Sequence, residues 1–211
     1  MSDLRAPFLI PAQGERLVRE AYRRDFRQRD AAIRNRDSWK FERRQHFEEQ
    51  SSPSHDAFRR GDWDEAMRLL EERRDGLLAV AREDERRCSF FHRVRVIETP
   101  LTPYMRWELH SLRLRAECGE RIRVIGVERV AVSERSGPLP EVVILGGRTL
   151  YRVLYTESGV PEGAVRYTDP GLIRGWENYI RGLYEAGEDV TSYFDREVAH
   201  LPSSTARSKT E

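Results

Sequence analysis

The sequence predicts a mixed α/β fold: a βαβ unit, then a β-meander and a C-terminal helix, all preceded by an amphipathic helical arm. Two runs of alternating apolar and polar residues flank a helical segment between residues 90 and 132, which is typical of a βαβ unit. Short β-rich runs separated by glycine-containing turns follow, and they predict a meander. The last periodic segment, after residue 169, has an almost unbroken apolar stripe and predicts a helix.

The composition indicates one domain with an appendage. The chain has 211 residues, whereas single domains cluster near ~100–150. Charged residues make up 35% of the chain but the formal net charge is only +1, so we expect any basic patch to be local. No apolar stretch approaches the ~20 residues of a membrane span, and the N-terminal residues do not resemble a signal peptide. We therefore expect a cytoplasmic protein that does not contact a membrane.

Residues 1–50 are predicted to form a charged amphipathic helical arm. Apolar side chains recur at helical spacing on one face, and arginines alternating with aspartates occupy the other. Residues 51–54, Ser-Ser-Pro-Ser, interrupt the pattern. We expect the arm to be an interaction element, for a partner protein or for a second copy of the chain as a homodimer. The apolar positions are Leu17, Val18, Ala21, Tyr22, Phe26 and Ile33.

The mixed α/β domain is predicted to span residues 54–200 and to start with a leading helix at 62–87. Asp62 can cap this helix, and Glu65 completes a capping box. Gly76 weakens the middle of the helix, because glycine costs about 1 kcal/mol relative to alanine there.

The βαβ unit is predicted from two strands and the helix between them. Residues 90–98 alternate apolar and polar side chains, as does the stretch 121–132. Thr102 followed by Pro103 is a favourable helix start, and Gly119 is a natural stop. Strands joined by such a crossover helix are expected to be parallel neighbours.

The remaining elements are three short strands, a helix and a tail. The strands are predicted at 142–145, 149–155 and 164–167, and the helix at 170–186. Residues 201–211 contain too little apolar surface to fold, so we expect a disordered tail.

No motif for catalysis or metal binding is recognisable. The five histidines are scattered, and none has a second metal ligand at a typical spacing. Cys88 and Cys118 form neither a metal motif nor a disulfide framework. We therefore assign no catalytic residue, no metal ligand and no cofactor. The sequence favours a non-catalytic protein over an enzyme.

Four arginines and the helix between them form the candidate binding site. Arg93 and Arg95 alternate along one strand, as do Arg121 and Arg123 along the next, so all four are expected to share one sheet face. They could form structural ion pairs with nearby glutamates, or they could bind an anion. The helix start is a further candidate pocket, because ligands gather at strand ends and helix N-termini. The candidate residues are Arg93, Arg95, Tyr104, Arg106, Trp107, Glu108, His110, Glu120, Arg121 and Arg123.

Three motifs in this region resemble those of an uncharacterised actinobacterial family, a domain of unknown function. They are Arg-Val-Arg-Val at 93–96, Pro-Leu-Thr-x-Tyr-x-x-Trp-Glu-Leu at 100–109 and Gly-Glu-x-Ile-Arg-Val at 119–124. The resemblance covers roughly residues 56–195, and the arm before residue 51 departs from it. Such proteins are often encoded beside helix-turn-helix regulators, which implies a regulatory accessory role. The domain is also loosely similar to phospholipase D halves but lacks their His-x-Lys-x4-Asp motif.

Three hypotheses for the function follow from these observations. The first is a non-catalytic accessory protein that binds a partner protein, such as a helix-turn-helix transcription regulator. The alternative is an enzyme, or a sensor of a small ligand or anion, with its pocket at residues 100–110. The second alternative is nucleic-acid binding through the arginine-rich arm. Interleaved aspartates disfavour it, so we do not expect direct contact with nucleic acid.

Overall fold

The computed structural model describes residues 5–202, which form an eight-stranded mixed sheet with helices on both faces. The strands are β1 (Glu15–Val18), β2 (Ser38–Glu42), β3 (Phe91–Ile97), β4 (Arg121–Gly126), β5 (Glu141–Leu145), β6 (Thr149–Tyr155), β7 (Pro161–Tyr167) and β8 (Glu188–Asp189). Their order across the sheet is β1-β7-β6-β5-β2-β3-β4-β8. Strands β2, β3 and β4 run parallel, and the other neighbouring pairs are antiparallel.

The helices lie on both faces of this sheet. They are α1 (Arg19–Ala31), α2 (Pro53–Arg59), α3 (Trp63–Glu71), α4 (Arg74–Arg87), α5 (Pro103–Glu117), α6 (Pro170–Ala186) and α7 (Val190–Glu197).

Helix α6 covers one face of the sheet. It packs across β2, β3 and β4, and its Trp176 and Tyr179 are each 1% exposed. Phe41 of β2 lies under both rings, with centroids 6.4 and 6.3 Å away. Val94 and Val96 of β3 belong to the same apolar cluster, because alternate residues of a strand point to the same face.

The opposite face is covered at its two ends by different helices. Helices α5 and α7 pack on β4, with α3 against α5, while α1 packs on β7 at the other end. The α1 end is an apolar cluster that includes Tyr22, Phe26 and Tyr151. The part of this face above β2 and β5 therefore lies between two groups of helices.

The predicted mixed α/β class is confirmed, and so are most elements after residue 90. Strands β3 and β4 are parallel neighbours joined by α5, and β5, β6 and β7 form the antiparallel meander. Thr102 accepts a hydrogen bond from the Met105 amide as the N-cap of α5. Gly119, after the end of that helix, has a φ of 110°, which favours glycine. The aromatic stripe of α6 is core, as its spacing predicts.

The prediction of a separate helical arm at 1–50 is wrong. Among the described residues 5–50, only Arg19–Ala31 is an α-helix, and Ser38–Glu42 is the central strand β2, hydrogen-bonded between β3 and β5. Trp39 and Phe41 look like an irregular continuation of the helical pattern, but both point toward α6 from a strand. The segment expected to dimerise or dock elsewhere is thus part of this domain's own sheet.

Two further predictions need correction. The leading helix 62–87 is divided into α3 and α4, and α2 precedes it. The second strand of the βαβ unit ends at Gly126 rather than 132, because a short 3-10 helix and turns follow. The tail prediction for 201–211 falls mostly on residues 203–211, which lie outside the described residues.

We expect Trp176→Ala to lower the free energy of unfolding by about 3–5 kcal/mol, because it empties a buried site under the centre of the sheet. Urea denaturation measures the loss. Val132, which is 37% exposed, provides the matched control. Val132→Ala should change stability by under about 0.5 kcal/mol. Equal losses in both variants would contradict the placement of α6 on the core.

Candidate functional site

A groove of about 610 Å³ lies between α1 and α4, above the uncovered part of the sheet. Strands β2, β3, β5 and β6 supply its floor and the two helices supply its walls. A volume of this size falls in the range of natural binding pockets, ~300–1,000 Å³. The groove is therefore the candidate functional site.

The floor of the groove is set by the alternation of side chains along the strands. Phe91, Val143, Val153 and Tyr155 contribute apolar surface to it. Lys40 lies among them because Trp39 and Phe41, its neighbours on β2, point to the other face. The floor is thus mainly apolar, with the ammonium group of Lys40 on β2 among its apolar side chains.

The walls are two amphipathic helices that are incompletely covered. Neither α1 nor α4 has a fully buried residue among those described. Leu77 and Val80 of α4 line the groove, and the Val80 side chain is 58% exposed. The helices meet at their C-terminal ends, where the Arg87 guanidinium donates to the Asp30 carbonyl at 2.8 Å. That contact helps to define one end of the groove.

A network of buried charges lies beneath the groove. Glu42 accepts from Lys40 at 2.5 Å and from Arg93 at 2.8 Å. Arg93 also pairs with Glu120 at 2.7 Å, and Arg115 approaches the other oxygen of Glu120 at 3.1 Å. Burial raises the pKa values of Glu42 and Glu120, but the neighbouring cations together, with Arg93 the foremost of them, outweigh burial and lower both pKa values. Both carboxylates are therefore charged and paired.

Arg95 and Glu108 form a second buried pair deeper in the sheet. The Arg95 side chain is fully buried and donates to Glu108 Oε2 through Nε at 3.1 Å and Nη2 at 2.7 Å. Its Nη1 donates to the carbonyls of Glu42 and Val96 at 3.3 Å. Burial raises the pKa of Glu108 more than Arg95 lowers it. This pair ties α5 to β3, and its guanidinium has no contact with solvent.

Glu141 is a third buried carboxyl group on this face. Its Oε1 accepts the amide N–H groups of Arg43 and Arg44 at 2.9 and 2.7 Å. Its Oε2 has no hydrogen-bond partner within residues 5–202. Burial raises the pKa of Glu141 to about 7. The side chain fastens the segment that leaves β2 to the first residue of β5.

The four arginines predicted to share a face lie on two faces instead. Arg121 is opposite His92 and Arg123 is opposite Val94 in the β3–β4 register, so both point toward α6. Arg121 stacks over the Phe90 ring, 3.7 Å from its centroid. Arg123 donates to the Gly187 carbonyl at 2.8 Å. The expected cluster is wrong because each strand alternates as predicted but the two are offset by one residue.

The predicted pocket at residues 100–110 is packed rather than open. Tyr104, Trp107 and Glu108 are buried, and the Trp107 indole donates to Ser54 Oγ at 2.9 Å. His110 lies between the rings of Trp63 and Phe194, and burial lowers its pKa to about 4.

Of the other predicted site residues, Arg106 is half-buried on the same helix, with its Nε unpaired among the described residues. Glu120 and Arg93 are the two predicted site residues that line the groove.

Sequence reasoning missed Lys40, Glu42 and Glu141 as site residues, and it missed the groove between α1 and α4. The signal for the first two was the alternation of Ser38–Glu42, in which Trp39 and Phe41 are apolar and their neighbours polar. The groove itself carried no signal, since its width depends on how the two helices pack on the sheet.

Two classes of feature are absent from the described part of the chain. No group of three or more His, Cys, Asp or Glu side chains within residues 5–202 could hold a metal ion. No helix in the same range combines the length and apolar character needed to cross a lipid bilayer.

We expect Arg95→Gln to lower the free energy of unfolding by about 3–5 kcal/mol, because it leaves Glu108 without its charged partner in the core. Arg123→Gln, the control on the opposite face, loses a partly exposed bond to a carbonyl and should cost about 1 kcal/mol. Urea denaturation separates the two. A larger loss from Arg123→Gln would contradict the assignment of faces.

We expect Glu141 to make stability fall with rising pH. Some carboxyl groups have a higher pKa in the folded than in the unfolded state. The stability that such a group contributes is fully present below the unfolded-state pKa, and it is lost as the pH rises through the folded-state pKa. For Glu141 that window runs from about 4.5 to about 7. The wild type should therefore lose up to about 3 kcal/mol relative to Glu141→Gln between pH 4.5 and 8. If the difference in unfolding free energy between the wild type and Glu141→Gln does not change with pH, the raised pKa of Glu141 is refuted.

The comparisons with known proteins cover most of the chain and reach farther toward the N-terminus than the predicted domain at 54–200. No curated protein matches the chain. The family model "Domain of unknown function (DUF6879)" matches residues 24–195. The match starts within α1 and includes β2, so the expectation that the resemblance begins near residue 56 and excludes the segment before residue 51 is wrong. Because the match covers most of the chain, this protein belongs to the DUF6879 family.

Proposed function

We propose that this protein is a non-catalytic accessory protein that binds a segment of a partner protein in the groove between α1 and α4. The observation that carries the proposal is an apolar floor flanked by two helices that keep exposed apolar surface, such as Val80. Exposed apolar surface in a concave site commonly marks a place where another molecule binds.

The dimensions of the groove suit a helix of about three turns. Its lining residues on α1 run from Arg19 to Asp30, a span of about 16 Å at 1.5 Å per residue. An amphipathic helix buries an apolar stripe in such a groove through residues one turn apart. The meeting of α1 and α4 at Arg87 and Asp30 gives the bound segment a defined stop.

The chemistry of the groove supports binding rather than catalysis. Glu42 and Glu120 are each held by two basic side chains, and their pKa values are lowered. A general base at neutral pH needs a pKa near 7, and these carboxylates lie far below that. Glu141, with a pKa of about 7, is buried and is not among the residues that line the groove.

The partner that fits the resemblance described above is a transcription regulator of the helix-turn-helix class, whose surface is built from amphipathic helices. The packed start of α5 gives no support to a ligand pocket at residues 100–110.

A photo-crosslinking amino acid at position 80, incorporated in the native host, tests the proposal. We expect a discrete adduct whose cross-linked peptide lies in an amphipathic helical segment of another protein. The same group at position 132, another exposed valine, should give no such adduct. The unlabelled wild-type chain should compete with the labelled chain and reduce the amount of adduct, and an unlabelled Val80→Asn chain should compete less well. Equal cross-linking from both positions, or none from position 80, would refute the groove as the binding site.

A further inference from the structure

We propose that the segment bound in the α1–α4 groove is an acidic amphipathic helix, with leucine-like residues toward the floor and carboxylates toward the rim. The inference rests on the proposed function and adds the chemistry of the partner. It follows from how the charges of the groove are paired.

The groove has an excess of positive charge. Among the described residues that line it, seven are cationic and four are acidic. The acidic side chains are largely engaged: Glu120 pairs with Arg93 and Arg115, and Asp30 and Asp84 both approach Arg87. The whole chain has a net charge of only +1, so this excess is a local property.

The unpaired cations lie at the rim, on both walls. Arg23 on α1 and Arg82 on α4 are exposed and have no carboxylate partner within residues 5–202. Arg19 donates to the neutral amide of Gln50. Across the same rim only Glu85 is an unpaired acid among the described lining residues. A bound helix would therefore meet guanidinium groups on its two sides.

The floor offers one further donor group. Lys40 uses one contact on Glu42 Oε1, and its side chain is 27% exposed. An ammonium group has three N–H donors, so donors remain for a carboxylate that reaches the floor. Because Glu42 also pairs with Arg93, it does not fully neutralise the charge of Lys40.

The apolar floor favours a protein segment over a nucleic acid. Phe91, Val143 and Val153 lie between the walls, and a phosphate backbone held by the rim arginines would leave them uncovered. An acidic amphipathic helix satisfies the rim and the floor together.

The test uses three fluorescein-labelled 15-residue peptides on the full chain. All three share one leucine stripe at helical spacing. The other face carries glutamate in the first peptide, lysine in the second, and a neutral mixture of serine and glutamine in the third. Fluorescence anisotropy at low salt should show the glutamate peptide binding at least tenfold more tightly than the lysine peptide. The glutamate peptide should also lose affinity as sodium chloride is added.

Matched charge reversals locate the effect. Arg23→Glu with Arg82→Glu should weaken binding of the glutamate peptide at least tenfold and strengthen the lysine peptide. Arg24→Glu with Arg27→Glu changes the net charge equally, but these exposed residues of α1 do not line the groove. That control should change the affinity by less than threefold. Melting temperatures confirm that each variant is folded.

Other outcomes overturn the inference in different ways. If all three peptides bind equally and only Val80→Asn weakens them, the groove binds apolar helices without selecting for acid, and the proposed function survives. If no peptide binds, the proposed function fails as well. Equal weakening by both double variants would indicate attraction to the net charge alone. A 15-nucleotide single strand that binds more tightly than the glutamate peptide, through Arg23 and Arg82, would show a nucleic-acid site.

Discussion

The fold depends on the need to pair charges that lie inside it. Arg93 and Arg95 point into the same face of the central strand β3, where an unpaired guanidinium would be costly. Their carboxylate partners come from three different places: Glu42 on β2, Glu108 on α5 and Glu120 before β4. Satisfying two arginines therefore fixes how two strands and a helix lie against β3. Apolar packing fills the space around this arrangement, and the ion pairs connect β2, α5 and the start of β4 to the same strand.

The sequence predicted the elements that have long and regular patterns. α5 and α6 have N-caps followed by proline and extended apolar periodicity, and β3 alternates arginine and valine from Arg93 to Val96. β2 has only five residues. The two-residue spacing of Trp39 and Phe41 fits a strand, but an alternation this short is a weak signal beside the helical pattern that precedes it. Tertiary hydrogen bonds with β3 and β5 decide between strand and helix. Local pattern alone does not contain that information.

The candidate site was less predictable than the fold. Alternation shows that Arg121 and Arg123 share a face, but the face itself depends on the register against β3. A shift by one residue would place all four arginines together. The groove depends on a second kind of information, namely the gap that remains when α1 and the α5 group cover the two ends of the sheet. A gap has no residues of its own, so no sequence pattern marks it.

The position of β2 has a consequence for how the chain folds. Trp39 pairs with Ile144 in β5, and Glu15 in β1 pairs with Arg166 in β7. These contacts join segments that are more than a hundred residues apart in the chain. Such a fold has a high contact order, and loop closure must precede most of its stabilising contacts. During synthesis, β2 and β3 leave the ribosome well before β5. Until then β2 has an open edge, which a chaperone or a neighbouring nascent chain could occupy.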